Sequence, residues 1–542
     1  MSVRTFEVQT FDYIYTLDPH RAFDGSSRHA VVNFYDSLYD VEEDGTVRPA
    51  IADALARYDE VDGQVRATMP MRPDVRFHDG TPLEVQDLVY SLRRSALLHD
   101  GLASLWHDVL LGTPAAHPSE QALAEMFARF GSTDGAVTVI LDRPFAPLEK
   151  FLAQWGLILP RKWCSERGGW TGELTDLQRV RDSARSPLDR EVNGSGPYLL
   201  SSLGPSGDGL TMTRHGDYWR EQGDVDVVEF VSEGDRLVRE QSLMSGSSDF
   251  AVCQPESLDR LSDNQAFVLE RLPQEWSINP LGFINQTVRP DSDCLGSGEW
   301  GPDGHPATAF GDQRLRRMLN HAFDAEEFTR QALDNQVVEH EMPFPAPAAP
   351  GGRLDRAEFD IEAARDCWRS AWDGVPHERG MHLRIETHKD NASRLIAAQI
   401  LADGLARVDP RIVVTIREMA LGELTNRLYA GDLSVAWIGW AGDYADPYAF
   451  ASTLVYSPAS IPQALGMRDS EIDEAVARAR AEQDPAAAVR WYQVIAERTA
   501  TLDLFLTPPG KVSYMTYSRR WTGLHLKNQI PHSLDYRRIR SA

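Results

Sequence analysis

Ser434-Val-Ala-Trp-Ile-Gly-Trp440 runs directly into Ala441-Gly-Asp-Tyr-Ala-Asp-Pro-Tyr448. An apolar run of strand length stops at a Gly-Asp loop, and in open α/β sheets ligands bind beyond the carboxyl ends of the strands. Asp443 therefore stands where a ligand would meet it. Upstream, Leu383-Arg-Ile-Glu-Thr387 and Ile412-Val-Val-Thr-Ile416 are strand-like and rich in β-branched side chains. Between them, Asn391 to Val408 carries a helical packing face of Leu395, Ile396, Ile400, Leu401 and Leu405, and a shorter helical run, Leu421 to Tyr429, leads into the strand of Trp437. The order β-α-β-α-β implies an α/β fold: a parallel sheet with right-handed crossovers and a crevice at its strand ends.

At 542 residues the chain exceeds the size at which one core keeps growing, so two or three domains are expected. With 42% hydrophobic and 25% charged residues the composition is that of a globular protein, and no apolar run approaches the roughly 20 residues that span a bilayer. The formal charge of −26, from 81 acidic against 55 basic residues, excludes a nucleic-acid partner, which needs basic faces to displace counterions. The opening Met1-Ser-Val-Arg-Thr-Phe-Glu-Val enters a strand-like segment without a basic n-region or apolar h-region. Either the protein stays in the cytoplasm or an export signal is missing from this sequence. Cys164, Cys253, Cys294 and Cys367 are far apart and contain no C-x-x-C, and they read as buried or free thiols.

Local signals place further elements. Phe77-His-Asp-Gly80 reads as a turn, and Thr81-Pro-Leu-Glu84 as a capping box opening a helix with Val85, Leu88, Val89 and Leu92. Asp484-Pro485 opens another helix, through Trp491 and Ile495. Gly/Pro-rich breaks at Asn193–Pro197, Asp291–Pro306 and Pro343–Gly352 are candidate junctions or surface loops.

A series of segments resembles the peptide-binding components of ABC importers, the family 5 extracellular solute-binding proteins. It opens with Leu17-Asp-Pro19, Tyr35-Asp-Ser-Leu-Tyr39, Arg48-Pro-Ala-Ile-Ala-Asp-Ala-Leu55 and Arg72-Pro-Asp-Val-Arg-Phe-His-Asp-Gly-Thr-Pro82. Asn193-Gly-Ser-Gly-Pro-Tyr198, Asp217-Tyr-Trp219, Leu281-Gly-Phe-Ile-Asn285 and the run Asp312 to Asp324 follow in the family's order, then Phe359 to Arg365 and Gly439 to Pro447. Each is weak alone; their order across nearly the whole chain is specific.

The resemblance implies a periplasmic-binding-protein-like fold of two lobes with an additional third domain, closing by hinge motion on a ligand in the cleft between the lobes. Domain I would join 1–40, 193–275 and 500–542; 41–192 would be the extra domain; 276–499 would be the second lobe. It implies capture without catalysis or cofactor, delivery to ABC permease subunits, a monomer, and a periplasmic or extracellular location with membrane association only through the permease or a lost anchor.

In peptide-binding relatives, the aspartate of a W-x-x-D stretch pairs with the ligand's α-ammonium, and the matching residue in Trp440-Ala-Gly-Asp443 is Asp443. A desolvated ammonium needs a carboxylate, because an unpaired buried charge is costly. The alternative is that Asp443 caps its own loop. Asp446, before Pro447, reads as the organiser of that loop. Trp437, Trp440 and Tyr444 are candidate aromatic walls, though strand alternation turns Trp437 and Trp440 to opposite sides, and core packing is the alternative for each. The resemblance makes Gln274 to Asn285 the crossover into the second lobe, with Trp276, Ser277 and Asn279 as ligand contacts or a plain β connection. It also places Phe23 and Asp24, in Arg21-Ala-Phe-Asp-Gly25, on the cleft side of domain I.

The chain departs from the peptide-binding pattern in two places: Val455 to Gly466 lacks an Asn/Tyr/Gly-rich run, and the loop Asp291–Pro306 is longer than usual. No residue is assigned to a peptide's carboxylate. A non-peptide solute (metal chelate, opine or sugar) and a cytoplasmic ligand sensor are the alternative readings. Gly296-Ser-Gly-Glu-Trp-Gly301 fits G-x-G-x-x-G but follows no strand and opens no helix, and there is no G-x-S-x-G, H-E-x-x-H or Walker sequence. Glu339-His-Glu341 reads as a solvated charge cluster rather than a metal site.

Overall fold

The computed structural model describes residues 3–542 apart from 11, 116, 254–260, 262–265, 273–275, 334, 353, 355, 356, 390, 513 and 530–532, and only the backbone of 100, 236, 252, 253 and 511. The chain divides into two compact units: Met1–Pro273 with Asp443–Ala445 and Ser513–Ala542, and Gln274–Gly442 with Asp446–Val512.

In the first unit, strand Thr5–Thr10 lies inside a seven-stranded sheet, parallel to Val227–Ser232 on one side and to Phe250–Cys253 on the other. Phe6 and Val8 are buried while Glu7 and Gln9 are half-exposed, the period-two pattern of a strand with one packed face. A second, four-stranded antiparallel sheet runs Arg57–Val61, Gln64–Pro70, Ala136–Leu141, Phe130–Thr133. Its hairpins turn at Asp62-Gly63 and Asp134-Gly135, both pairs with positive φ, as two-residue turns matching the strand twist require.

The second unit contains the predicted βαβαβ run. Strands Ile412–Met419, Met381–His388 and Val435–Ala441 are parallel neighbours, joined through helices Ala392–Val408 and Leu421–Tyr429. Strand Ser277–Ile284 adds antiparallel to Val435–Ala441, pairing Gly282 with Trp437, and Phe505–Leu506 closes the sheet. The core is built of Leu383, Ile385, Leu401, Leu405, Trp368, Phe323 and Trp437. Helix Ala392–Val408 presses close to helix Gln313–Ala322: a Cβ at Gly404 would overlap the carbonyl oxygen of Ala322.

Several local expectations need correction. The first helix after the Phe77–Gly80 turn begins at Val85, not Pro82. Glu84 is its cap and Asp87 completes the box, because Thr81 is already held by Asp79, its hydroxyl donating to Oδ1 at 2.6 Å. The Asn193–Pro197 break is buried rather than a surface loop, with Gly194 pressed against the backbone of Phe34. Gly296–Gly301 is a short strand bridged to Gly304. His340 is buried and accepts from the Ala346 amide at 3.2 Å, so Glu339–Glu341 is not a wholly solvated cluster. Cys164, Cys294 and Cys367 are free thiols, whereas the Cys253 side chain, like Gln274 and Glu275, lies outside the described residues. Among the described residues no helix is long and apolar enough to cross a membrane, and no His/Cys/Asp/Glu grouping could hold a metal.

Candidate ligand-binding site

In the first unit, the short stretch Asp443–Ala445 is tied down by aromatic side chains. The indole Nε1 of Trp155 donates to the Asp443 carbonyl at 2.9 Å, and Tyr444, buried, meets Phe151 edge-on at 5.4 Å. The Asp443 carboxylate itself is half-buried, and among the described residues no donor or cation reaches it. Loss of water alone pushes its pKa up to about 6. It does not cap the loop; Asp446 does, accepting from the Tyr448 amide at 2.9 Å at the start of helix Pro447–Leu454.

Trp155 lies at the end of helix Leu148–Trp155, whose Leu148, Phe151, Leu152 and Trp155 share one apolar face. Its ring is 5.4 Å from that of Phe23, and the Arg28 guanidinium sits 4.5 Å from its centroid. Phe23 is exposed. Asp24 is not placed as a ligand group: its carboxylate caps helix Gly25–Phe34, accepting from the Ser27 amide at 2.7 Å.

In the second unit, the strand pairing sets Trp440 beside Ile278 and Ala441 beside Ser277. Trp440 and Ser277 are half-buried, and the Trp440 indole N–H has no partner among the described residues. Trp276 is buried, its ring 6.4 Å from Phe450 and its carbonyl accepting from the Gly442 amide at 3.0 Å. Trp437 is a core residue, fully buried with its ring 5.4 Å from Phe323, because the sheet face it occupies is the one that helix Ala392–Val408 covers. It forms no wall of a site.

Asn279 leads to a residue that sequence reasoning missed. Its Oδ1 accepts from Arg394 Nε at 3.0 Å, and Arg394 is buried without any carboxylate partner among the described residues, so that burial lowers its pKa to about 10. Gly439 makes room for it: a Cβ there would lie 2.5 Å from Arg394 Nη2 and 3.1 Å from Asn279 Oδ1. Arg394 stands in the first turn of its helix, three residues after the Asn391 cap, at the end of the macrodipole that favours anions. A cation placed there is the signal that would have found it. Among the described residues, Asp443 in the first unit and Arg394 in the second are desolvated charges without a counter-ion, as is Arg28 of the first unit, which the carbonyls of Pro19 and Gln154 hold instead. Such groups are costly and concentrate where a ligand supplies the missing charge.

The sequence pattern of the bacterial extracellular solute-binding proteins, family 5 (middle region), matches residues 46–461, well over half of the chain. The chain belongs to this family. Among curated relatives it is 24% identical over 450 residues to probable di/tripeptide-binding protein 5 of Pseudomonas aeruginosa (strain UCBPP-PA14), covering 81% of this chain and 76% of that one. Among solved structures it superposes on the periplasmic binding protein DppA of Helicobacter pylori in complex with the peptide STSA, with a TM-score of 0.74 at 17% identity over 99% of this chain and 98% of that one. It also superposes on AgaA of A. tumefaciens R10 in complex with agropinic acid, with a TM-score of 0.73 at 17% identity over 100% and 99% of the two chains. These likenesses show the periplasmic-binding-protein-like fold of the family 5 chain.

Proposed function

We propose that this family 5 chain is the substrate-binding component of an ABC importer and that its solute is a peptide or peptide-like zwitterion. The observation that carries the solute class is Asp443, a half-buried carboxylate that no donor or cation among the described residues satisfies. An ammonium completes it, since a charge-assisted hydrogen bond in a dry site is worth more than one in water. Arg394, buried without a carboxylate partner among the described residues and oriented by Asn279, is a separate candidate in the second unit for a carboxylate group. Trp440, Trp276 and Ser277 flank Asn279 and Gly442 on the same strand pair and supply further contacts.

The name of the di/tripeptide-binding relative supports this reading, and the agropinic acid bound to AgaA supports the alternative of a non-peptide solute. The protein works by capture alone, as a monomer outside the cytoplasmic membrane, and hands its solute to permease subunits. Mass spectrometry of the solute released on denaturing the purified protein tests the class, followed by titration calorimetry with dipeptides and with an opine. Recovery or tight binding of a di- or tripeptide is expected; binding of the opine and not of peptides would overturn the peptide assignment.

A further inference from the structure

We propose that Phe23, His99 and Trp155 form an aromatic shelf that selects solutes carrying an aromatic or large apolar side chain next to the ammonium group. The inference rests on the reading of Asp443 as the ammonium partner. Phe23 is 42% exposed although the segment that carries it is firmly held. Its segment is anchored by Asp18, whose backbone and side-chain oxygens accept from the amides of His20, Arg21 and Ala22 and whose carboxylate takes Arg94 Nη1 at 2.7 Å inside the protein.

The Phe23 ring does not stand alone. It lies 4.4 Å from the exposed His99 ring at 37° and 5.4 Å from the buried Trp155 ring at 34°. His99 is fixed as the cap of helix Asp100–Leu111, its Nδ1 accepting from the Gly101 amide at 3.1 Å. Trp155 is fixed by Arg28, which is itself held by the carbonyls of Pro19 and Gln154. The same indole donates to the Asp443 carbonyl. This indole meets the Phe23 ring and the Asp443 backbone carbonyl, so the shelf lies beside the backbone of the proposed ammonium partner, within reach of the solute residue bound there. An ammonium at Asp443 leaves that residue's side chain beside a preformed aromatic surface, where burying a ring gains affinity at no cost in ordering the protein.

The test is titration calorimetry on the full chain with Phe-Ala, Ala-Ala and Ala-Phe, for the wild type and for Phe23→Ala, Phe23→Leu and Asp443→Asn. The wild type should prefer Phe-Ala to both other dipeptides by about tenfold. Phe23→Ala should bring that ratio to within about twofold, Phe23→Leu should give an intermediate value, and Asp443→Asn should weaken all three dipeptides while preserving the ratio. A wild-type ratio near one, or a ratio that survives in Phe23→Ala, with Asp443→Asn still weakening every dipeptide, overturns the shelf and leaves the ammonium site standing. Unchanged affinity in Asp443→Asn, or no binding of any dipeptide, overturns the ammonium reading and the shelf with it.

Discussion

Replacing Asp443 by asparagine removes a charge from a site that offers it no counter-ion, so the variant should gain stability while losing its solute. Desolvation moves this carboxyl from 3.8 to about 6, which corresponds to a penalty of at most about 3 kcal/mol for the ionised form. The sign follows from linkage. The folded protein holds the proton more tightly than the unfolded chain does, so the stability carried by the protonated carboxyl is full below about pH 4 and is lost as pH rises through about 6. Asparagine never ionises and escapes that loss. Ligand-free Asp443→Asn should therefore match the wild type near pH 4 and exceed it by about 2–3 kcal/mol at pH 8. Spread over the unfolding entropy of a chain this long, that is a rise in Tm of about 2–3 °C.

Thermal unfolding of the two proteins side by side from pH 4 to pH 8 measures it. The same variant should bind a dipeptide more weakly by about 2–5 kcal/mol. The wild type should release about half a proton on binding near pH 6, read by calorimetry in buffers of different ionisation enthalpy. A Tm difference that is flat with pH, or a variant less stable at pH 8, would refute the reasoning: the carboxylate would then have a counter-ion in the folded protein and no vacancy for an ammonium.

Arg394→Met should weaken a dipeptide by about 10–100-fold and bind its C-terminal amide about as well as the wild type binds it, because only the carboxylate contact is removed; equal loss for both solutes counts against the assignment. Gly404→Ala should destabilise the second unit by about 1–3 kcal/mol, since its methyl group meets the Ala322 carbonyl, and an unchanged Tm would mean that the two helices move apart freely. Trp437→Phe should cost less than about 2 kcal/mol, its indole N–H having no partner among the described residues, and should leave dipeptide affinity unchanged; a loss of affinity would return Trp437 to the site.

The parallel sheet of the second unit was legible because β-branched runs and a long helical face repeat in strict alternation, and each predicted strand and helix from Leu383 to Trp440 forms. The Asp62-Gly63 and Asp134-Gly135 hairpin turns, whose pair of positive φ angles few other dipeptides accept, were missed in the sequence although they are a hairpin signal. The helix start at Val85 was misplaced for a local reason: Thr81 has the chemistry of a cap, but Asp79 engages it first. Trp437, Trp440 and Tyr444 look alike as a string of aromatics, and only the packing separates them, one into the core, one half-buried on the sheet, one against Phe151.

What the chain does not spell out is the absence of partners. A carboxylate in a Gly-Asp loop is ordinary; what distinguishes Asp443 is that the folded chain desolvates it and, among the described residues, brings neither donor nor cation to it. Several other buried carboxylates of the same chain are paired. Asp18 meets Arg94, and Asp40 is held well below the usual carboxylate range by Lys527, Arg220 and Arg537. A protein able to satisfy those carboxylates could have satisfied Asp443 by placing one lysine nearby. Leaving it bare costs stability that a paired site would keep, and an ammonium from a solute, as proposed, would recover that cost. The contrast between the paired and the unpaired acids, rather than any single motif, is the physical argument for the proposal that the loop after Trp440 binds a solute.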